Sequence, residues 1–457
     1  MDTGLRNAIP KQALQRDSKR PSRLEWIIAV FILIIQQMAF TMIPVVLKQD
    51  PEAAFLTNEY LTAPRGKKSA EELDLDPLTS PLNTICLIIS MLLIPIVSIP
   101  RMRRFVAIVV NNPFAFIFLA LVLASTLWSL HPDVTIKRGM SYALTISVAV
   151  YLVVAFTIDD CIKMLIHSFA ITAIGSIVFV SFFPSQGIMW AESLEGNWRG
   201  VFIHKNGLGA LMATGLFSQL YLFAARTGRI SWGIFWAIVF FGLVLLSRSG
   251  TALVMCLLYL SMFFFYVVWL RHKMLGYSVA ILFSFILIAL GIALVIDPAS
   301  VLGLLGKDAT LTGRTDIWAA SADLIDLRPL LGNGYRAMFI AGDPTTNWFW
   351  GRIGFEITHA HNSGLEIVLE LGFIGLFLLI VFLGTALWRG LRCCLTGVLP
   401  LGYFTLIFFI GDLIQGATES DMGGGQDIGW VVSNMLAFAC GQSLSSQQNQ
   451  RPTRYAP

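Results

Sequence analysis

The tightest constraint on this chain is the recurrence, along its whole length, of apolar runs long enough to cross a bilayer. A backbone in hydrocarbon must satisfy its own hydrogen bonds, and runs of about twenty residues do so as helices. The sequence therefore predicts an all-α polytopic membrane protein with about twelve transmembrane helices. They fall near 24–47, 82–100, 106–130, 141–157, 162–183, 204–224, 231–246, 250–270, 275–296, 362–386, 396–415 and 428–443. The third is interrupted by Asn111, Asn112 and Pro113. With 56% hydrophobic and 13% charged residues and a mean hydropathy of +0.72, a soluble domain is excluded.

Lysine and arginine set the orientation. The first 23 residues carry Arg6, Lys11, Arg16, Lys19, Arg20 and Arg23, which argues for a cytoplasmic N-terminus. Alternate loops repeat the signal at Arg101/Arg103/Arg104, Arg226/Arg229, Arg271/Lys273, Arg389/Arg392 and Arg451/Arg454. Segments 1–23 and 444–457 thus read as cytoplasmic, flanking a membrane domain over 24–443. The net charge of +4 is mostly this topology signal and implies no nucleic-acid partner. The first span is too long for a signal-peptide core and lacks a small-x-small cleavage site, so it reads as a retained anchor. Cys86, Cys161, Cys256, Cys393, Cys394 and Cys440 lie in spans or on the cytoplasmic side, which leaves no extracytoplasmic disulfide and no zinc spacing. In the acidic loop 48–81, Asp74-Leu-Asp76 resembles a metal-holding pair of nucleotide-sugar transferases, but among so many acids it reads as a solvated face.

One outer loop, 297–360, is too long for a simple connection. Within it Ile317, Trp318, Leu324 and Ile325 recur at helical spacing and Arg328-Pro329 ends the pattern, predicting an amphipathic helix on the membrane surface. Leu331-Gly-Asn-Gly-Tyr335 then makes a tight turn. Arg314 sits in the first turn of that helix, at the positive end of its dipole, where cations are not normally placed. Either it builds a phosphate-type anion site or it pairs with Asp316 or lipid headgroups.

A second polar cluster precedes the sixth span, Asn197-Trp198-Arg199-Gly-Val-Phe-Ile-His204-Lys205-Asn206-Gly-Leu-Gly209. Arg199 and Lys205 are placed to reach a phosphate there, with the same residues serving equally as an interfacial anchor. Ser247-Arg248-Ser-Gly-Thr251 and Lys137-Arg138 put cations in short outer loops, either as topology noise or as modest anomalies. Glu366 and Glu370 in the tenth span and Asp412 in the eleventh are protonated, paired with outer-loop arginines, or part of an ion path. The loop ends at His361, below which Gly364, Val368, Gly372 and Gly375 form one helical stripe. These small residues predict close approach of a neighbouring helix, and so a rigid mount for a base at the membrane surface.

Four of the six histidines (His131, His204, His359, His361) and the non-anchoring arginines fall on the outer side. That combination suits a donor whose leaving group is a diphosphate, which departs as a stable anion and needs cationic clamps more than a general acid. It also needs a base for an incoming hydroxyl. Without a nucleotide-binding loop, a lipid-linked diphosphate fits best.

The stretch His361-Asn362, nine residues, then Gly372-x-x-Gly375 resembles the motif of bacterial O-antigen ligases and the related Wzy-type polymerases. The Trp198–Gly209 segment, the Ser-Arg-Ser-Gly-Thr turn and Trp128-Ser-x-x-Pro132 resemble the exopolysaccharide-polymerase (ExoQ-like) branch. The resemblance covers roughly residues 120–385 and implies a metal-independent, inverting GT-C-type glycosyltransferase using undecaprenyl-diphosphate oligosaccharide, with no cofactor. It implies His361 as base and Arg199 and Arg314 as diphosphate-binding arginines, while Lys205, Arg248, His359 and Asn362 are supporting positions. His361 is preferred to His359 because only His361 is followed by Asn at the right distance from the glycines.

The function expected is polymerisation of repeat units outside the bacterial inner membrane, alongside a chain-length regulator or flippase. The alternative is a ligase delivering finished glycan to lipid A–core. A transporter or flippase, from another class, would show repeated halves and midplane charges.

Overall fold

The computed structural model describes residues 22–37, 81–189, 195–275, 314–340, 342–417, 419–420, 422–425 and 427–449. The acidic loop 48–80, the span expected at 275–296 beyond its first residue, and the start of the long loop up to Gly313 lie outside them. The described helices are α1 (Arg23–Gln36), α2 (Pro81–Ser98), α3 (Met102–Asn111), α4 (Pro113–Ala124), α5 (Pro132–Ala155), α6 (Ile158–Phe182) and α7 (Lys205–Ala224). They continue as α8 (Ile230–Ser247), α9 (Gly250–Arg271), α10 (Arg314–Ile325), α11 (Pro344–Ile353), α12 (Ser363–Leu395), α13 (Leu399–Gly416) and α14 (Ile428–Asn449). Among the described residues the one strand-like feature is an isolated bridge between Ile188 and Trp198.

The protein is all-α and multi-pass. Seven of these helices, α5 to α9, α12 and α13, are long and apolar enough to cross a bilayer. The interrupted run at 106–130 is not a straight span. Residues Ile99–Asn111 and Pro113–Leu127 meet at 86°, because Pro113 cannot donate to the preceding turn and starts a new helix. The guanidinium of Arg389 holds this corner, donating to Asn112 Oδ1 and the Asn111 carbonyl. α14 is equally long but more polar. Its Val431, Val432, Met435, Leu436 and Phe438 are nonetheless fully buried, packed on α5, α12 and α13. It runs to Asn449, past the point where the sequence places the cytoplasmic tail.

Local signals explain the helix starts. Ser22 and Glu25 form a reciprocal capping box on α1. Thr157, Ser249 and Asn362 each accept a backbone N–H in the first turn of α6, α9 and α12. Within the bundle polar side chains join helices: Gln37 donates to Ser168 (2.7 Å) and accepts from Thr172 (2.6 Å), tying the end of α1 to α6.

The helix predicted in the long loop is present as α10, with Trp318 and Ile325 of its apolar stripe half-buried and the rest covered by protein. Ile317, Ala320 and Leu324 are buried with Met338, Phe349, Ile357, Ala360 and Leu369, so protein from α11, α12 and the intervening loops covers them. The glycine stripe differs from expectation. α12 breaks at Gly372, whose φ of 66° and ψ of −171° are non-helical. What approaches there is a loop, not a helix. A Cβ on Gly372 would lie 2.1 Å from the Leu330 carbonyl oxygen, and one on Gly332 would lie 2.5 Å from the Glu370 backbone.

The segment 329–334 repairs the broken ladder. Phe373 and Ile374, which in a continuous helix would donate to Leu369 and Glu370, donate instead to Pro329 (2.8 Å) and Leu330 (3.3 Å). Asn333 and Gly334 then donate to the freed carbonyls of Leu369 (2.9 Å) and Glu370 (2.8 Å). Four backbone groups that would each cost several kcal/mol in hydrocarbon are thereby satisfied. Gly372→Ala should destabilise the protein by about 2 kcal/mol or more, through left-handed strain plus collision with backbone that has nowhere to move. Thermal unfolding in detergent micelles checks this: a large loss in melting temperature is expected for Gly372→Ala, and little change for Gly384→Ala, where an added Cβ meets nothing within 4 Å.

Candidate functional site

The start of α12 carries the central side chain. Asn362, in extended conformation, caps the helix by accepting from the Leu365 N–H at 2.9 Å. His361 just before it is left-handed, with φ of 52°, a conformation a histidine holds only when its surroundings fix it. Those surroundings are polar and buried. Glu366, 3% exposed, accepts from the Ala360 N–H (2.6 Å) and the Ser420 hydroxyl (3.2 Å). Ser420 Oγ in turn accepts from the Asn362 N–H (3.2 Å), and Ser363 donates to the Glu419 carbonyl (2.8 Å). The loop between α13 and α14 is thus laced to the turn that bears His361.

That lacing delivers Glu419. One of its oxygens, Oε2, lies 3.5 Å from His361 Nδ1 and 3.7 Å from His359 Nε2, and the two imidazole centroids are 4.1 Å apart. Its other oxygen accepts from the Asn206 amide (3.3 Å), whose own oxygen accepts from Ser249 (3.1 Å). Burial alone would raise the Glu419 carboxyl, but the two facing imidazoles outweigh it and bring it down to about 2. His359, His361 and Glu419 offer three ligand atoms within 4.8 Å of one another, a set whose size would also admit a cation.

The cluster before α7 joins this end of the bundle. His204 caps α7, its Nδ1 accepting from the Asn206 N–H at 3.2 Å. Burial, then Lys205, hold the imidazole down to about 4, with His359 and Arg199 adding to the effect and Glu419 opposing it. Arg199 is fully buried, donating from Nε to the Gln186 carbonyl (2.6 Å) and from Nη1 to that of Ile203 (3.5 Å). Its Nη2 has no partner among the described residues, and burial pushes the guanidinium down to about 10. Lys205 donates to the Arg248 carbonyl (3.3 Å), and Arg248 is left-handed at the end of α8.

His359, His361, Asn362, Lys205, Arg248 and Arg199 therefore assemble around Glu419 and His204. Arg314 is set apart. It opens α10 and makes no hydrogen bond or ion pair among the described residues, although Ile317 one turn later packs in the cluster that includes Ala360. Asn362 is occupied as a cap through its side-chain oxygen. Glu419 was not singled out from sequence, and His204, Asn206 and Ser249 were named there only as members of their polar clusters, without a role. The stretch Gln415–Gly425 sets Glu419, Ser420 and Asp421 among glycines, a pattern that marks a polar connection and no more.

The carboxylates in α12 and α13 have protein partners. Glu370, 1% exposed, faces Arg336 at 3.7 Å, the outer-loop arginine pairing expected as one option. Arg336 also donates to the Ser420 carbonyl (2.9 Å), and Asp412 accepts from Ser433. Trp128 of the Trp-Ser-x-x-Pro motif donates to the Leu331 carbonyl (2.9 Å), so that motif holds the loop that splices α12.

Residues 233–380 match the family model described as O-antigen ligase. The chain is also similar to the exopolysaccharide production protein ExoQ of Rhizobium meliloti (strain 1021), 26% identical over 309 residues, covering 61% of this chain. The chain spans 65% of that relative's length, just under two thirds. Both findings support the resemblance to the O-antigen ligase and Wzy-type superfamily. The matched segment contains Arg248, Arg314, His359, His361 and Asn362, but neither Arg199 nor Glu419.

The half-buried His204, with its lowered proton affinity, has a consequence for stability. Its folded-state value of about 4 lies below the ordinary 6.5, so the unfolded chain binds the extra proton first. Stability is full above about pH 6.5 and falls as pH drops toward 4; Glu419, lowered from 4.5 to about 2, adds a second loss between those values. His204→Asn, which keeps a capping acceptor without the titration, should flatten the decline between pH 6.5 and 4 in thermal melts while leaving the loss below 4.5.

Proposed function

We propose that this protein is a polysaccharide polymerase of the bacterial inner membrane, joining glycan repeat units carried on undecaprenyl diphosphate at the periplasmic face. The observation that carries this reading is the convergence, at one end of the bundle, of a carboxylate-faced imidazole with a buried arginine that has a donor to spare. A buried guanidinium with an unfilled N–H is a prepared anion site, and a planar fork suits a diphosphate oxygen.

In the reaction, the acceptor hydroxyl gives its proton to Nε2 of His361 while its oxygen bonds the anomeric carbon. The bond from that carbon to the diphosphate oxygen breaks on the opposite face, so configuration inverts. Undecaprenyl diphosphate leaves as an anion held by Arg199 and, across the site, by Arg314; Lys205 and Arg248 extend the positive field, and His359 and Asn362 border it. Negative charge that grows at a fixed cationic site is stabilised without reorganisation, which supplies catalysis without a metal.

A second reading, ligation of finished glycan to lipid A–core, is favoured by the description of the family model that matches 233–380. It shares donor, clamp and base and differs only in acceptor. A product ladder that survives deletion of the gene, with attachment to the core lost, would select the ligase.

Purified protein given undecaprenyl-diphosphate oligosaccharide tests the chemistry. His361→Ala should lower transfer by about 10²–10⁴-fold with donor binding retained. Arg314→Ala should weaken donor engagement, and a chelator should leave wild-type transfer unchanged. A fully active His361→Ala protein would remove His361 from the role of base.

A further inference from the structure

The hydrogen-bonded row behind His361 uses residues that the transfer reaction itself leaves unemployed. Ser249, at the start of α9, donates to Asn206 Oδ1 (3.1 Å); Asn206 Nδ2 donates to Glu419 Oε1 (3.3 Å); Glu419 Oε2 faces His361 Nδ1 (3.5 Å). The row crosses three parts of the chain: the Ser-Arg-Ser-Gly-Thr turn, the His-Lys-Asn segment and the loop before α14.

We propose that Glu419 is a positioning residue for the base. Its carboxylate takes the Nδ1–H of His361, fixes the plane of the ring, and leaves Nε2 as the nitrogen that accepts the hydroxyl proton. Glu419 itself stays ionised throughout. This deepens the reading of His361 as base and rests on it for the catalytic consequence.

Three observations carry the assignment. Nδ1 of His361 is buried and makes no hydrogen bond to a described residue, with Glu419 Oε2 facing it at 3.5 Å; the side chain as a whole is 29% exposed, so its accessible edge is the one away from Nδ1. A neutral imidazole has one N–H, and a carboxylate takes it on the side that faces the carboxylate. Glu419 is itself held, since its second oxygen is occupied by Asn206 and its backbone carbonyl by Ser363. The charged and titratable groups around this arrangement are His359 on the same loop, His204, Lys205 and Arg199 from the start of α7 and the segment before it, and Glu366, which fixes Ala360 and Ser420 on either side. His359 reaches the same carboxylate oxygen from the other side at 3.7 Å, but its Nδ1 lies against Thr358 (3.0 Å), so it closes the cluster rather than replacing His361.

The test pairs kinetics with a measurement that needs no substrate. In protein reconstituted in lipid and labelled with 15N-histidine, nitrogen NMR at alkaline pH, with His361→Ala to assign the signal, should show His361 carrying its proton on Nδ1. Glu419→Gln should shift the population toward the Nε2–H form. With the undecaprenyl-diphosphate repeat unit as donor, Glu419→Gln should lower kcat at least about tenfold and leave donor KM within about threefold, and Glu419→Asp should recover part of the loss. The proposal is overturned if wild-type His361 is protonated on Nε2, or if Glu419→Gln keeps kcat within about twofold. Transfer that collapses in chelator and returns with added Zn²⁺ also overturns it, because a cation would then hold His359, His361 and Glu419 together. Should His361→Ala retain transfer, His361 is not the base, and the nitrogen spectra still decide whether Glu419 sets its tautomer.

Discussion

The exchange of backbone hydrogen bonds at Gly372 is the constraint on which the rest of this end of the bundle depends. A continuous α12 would leave the long loop with nothing to grip. Because the helix breaks, residues 329–334 dock by four backbone hydrogen bonds, each worth about 0.5–1.5 kcal/mol net and far more expensive to leave unmade. The docked strand of loop then collects Trp128, Ser125 and Leu130 from the turn before α5, and Tyr335 reaches across to the Gly423 carbonyl at 2.7 Å. Four separated parts of the chain are thereby fixed relative to one another within a few residues of the histidines.

The buried carboxylates complete that frame. Glu366 pins the turn before α12 to the loop carrying Glu419, and Glu370 faces Arg336, which pins the same loop through the Ser420 carbonyl. Loss of Arg336 would leave Glu370 buried without its facing cation, a change that typically costs about 3–5 kcal/mol. Of the three readings the sequence left open for these acids, pairing with an outer-loop arginine is the one that Glu370 displays.

Much of this was legible in the sequence. The apolar runs announced helices, and the spacing of Ile317, Trp318, Leu324 and Ile325 announced α10. What the periodicity could not say is which partner covers an apolar stripe: lipid and protein are equally apolar, and here the protein itself covers Ile317 and Leu324. Gly372 and Gly375 were found by spacing, but the same spacing serves close helix packing and a helix break alike; only the backbone of Leu330 and Leu331 distinguishes them. At the site, His361, Arg199, Lys205 and Arg248 were visible as cations and imidazoles out of place. Glu419 was not, because an acid in a short polar connection is what any loop contains, and its importance comes from a distance of 3.5 Å to a residue 58 positions earlier.

The left-handed backbone of His361 carries a consequence for how such a protein tolerates change. At φ of 52° glycine is the relaxed occupant; asparagine, aspartate and histidine tolerate the position best among the other residues, and the Cβ they carry costs on the order of 1 kcal/mol. The strain comes from Cβ, so removing the imidazole alone does not relieve it, and it takes from Glu419 one of the two rings that face it. Only glycine frees the main chain here, so it is the one replacement whose relaxed backbone offsets part of the lost contact with Glu419.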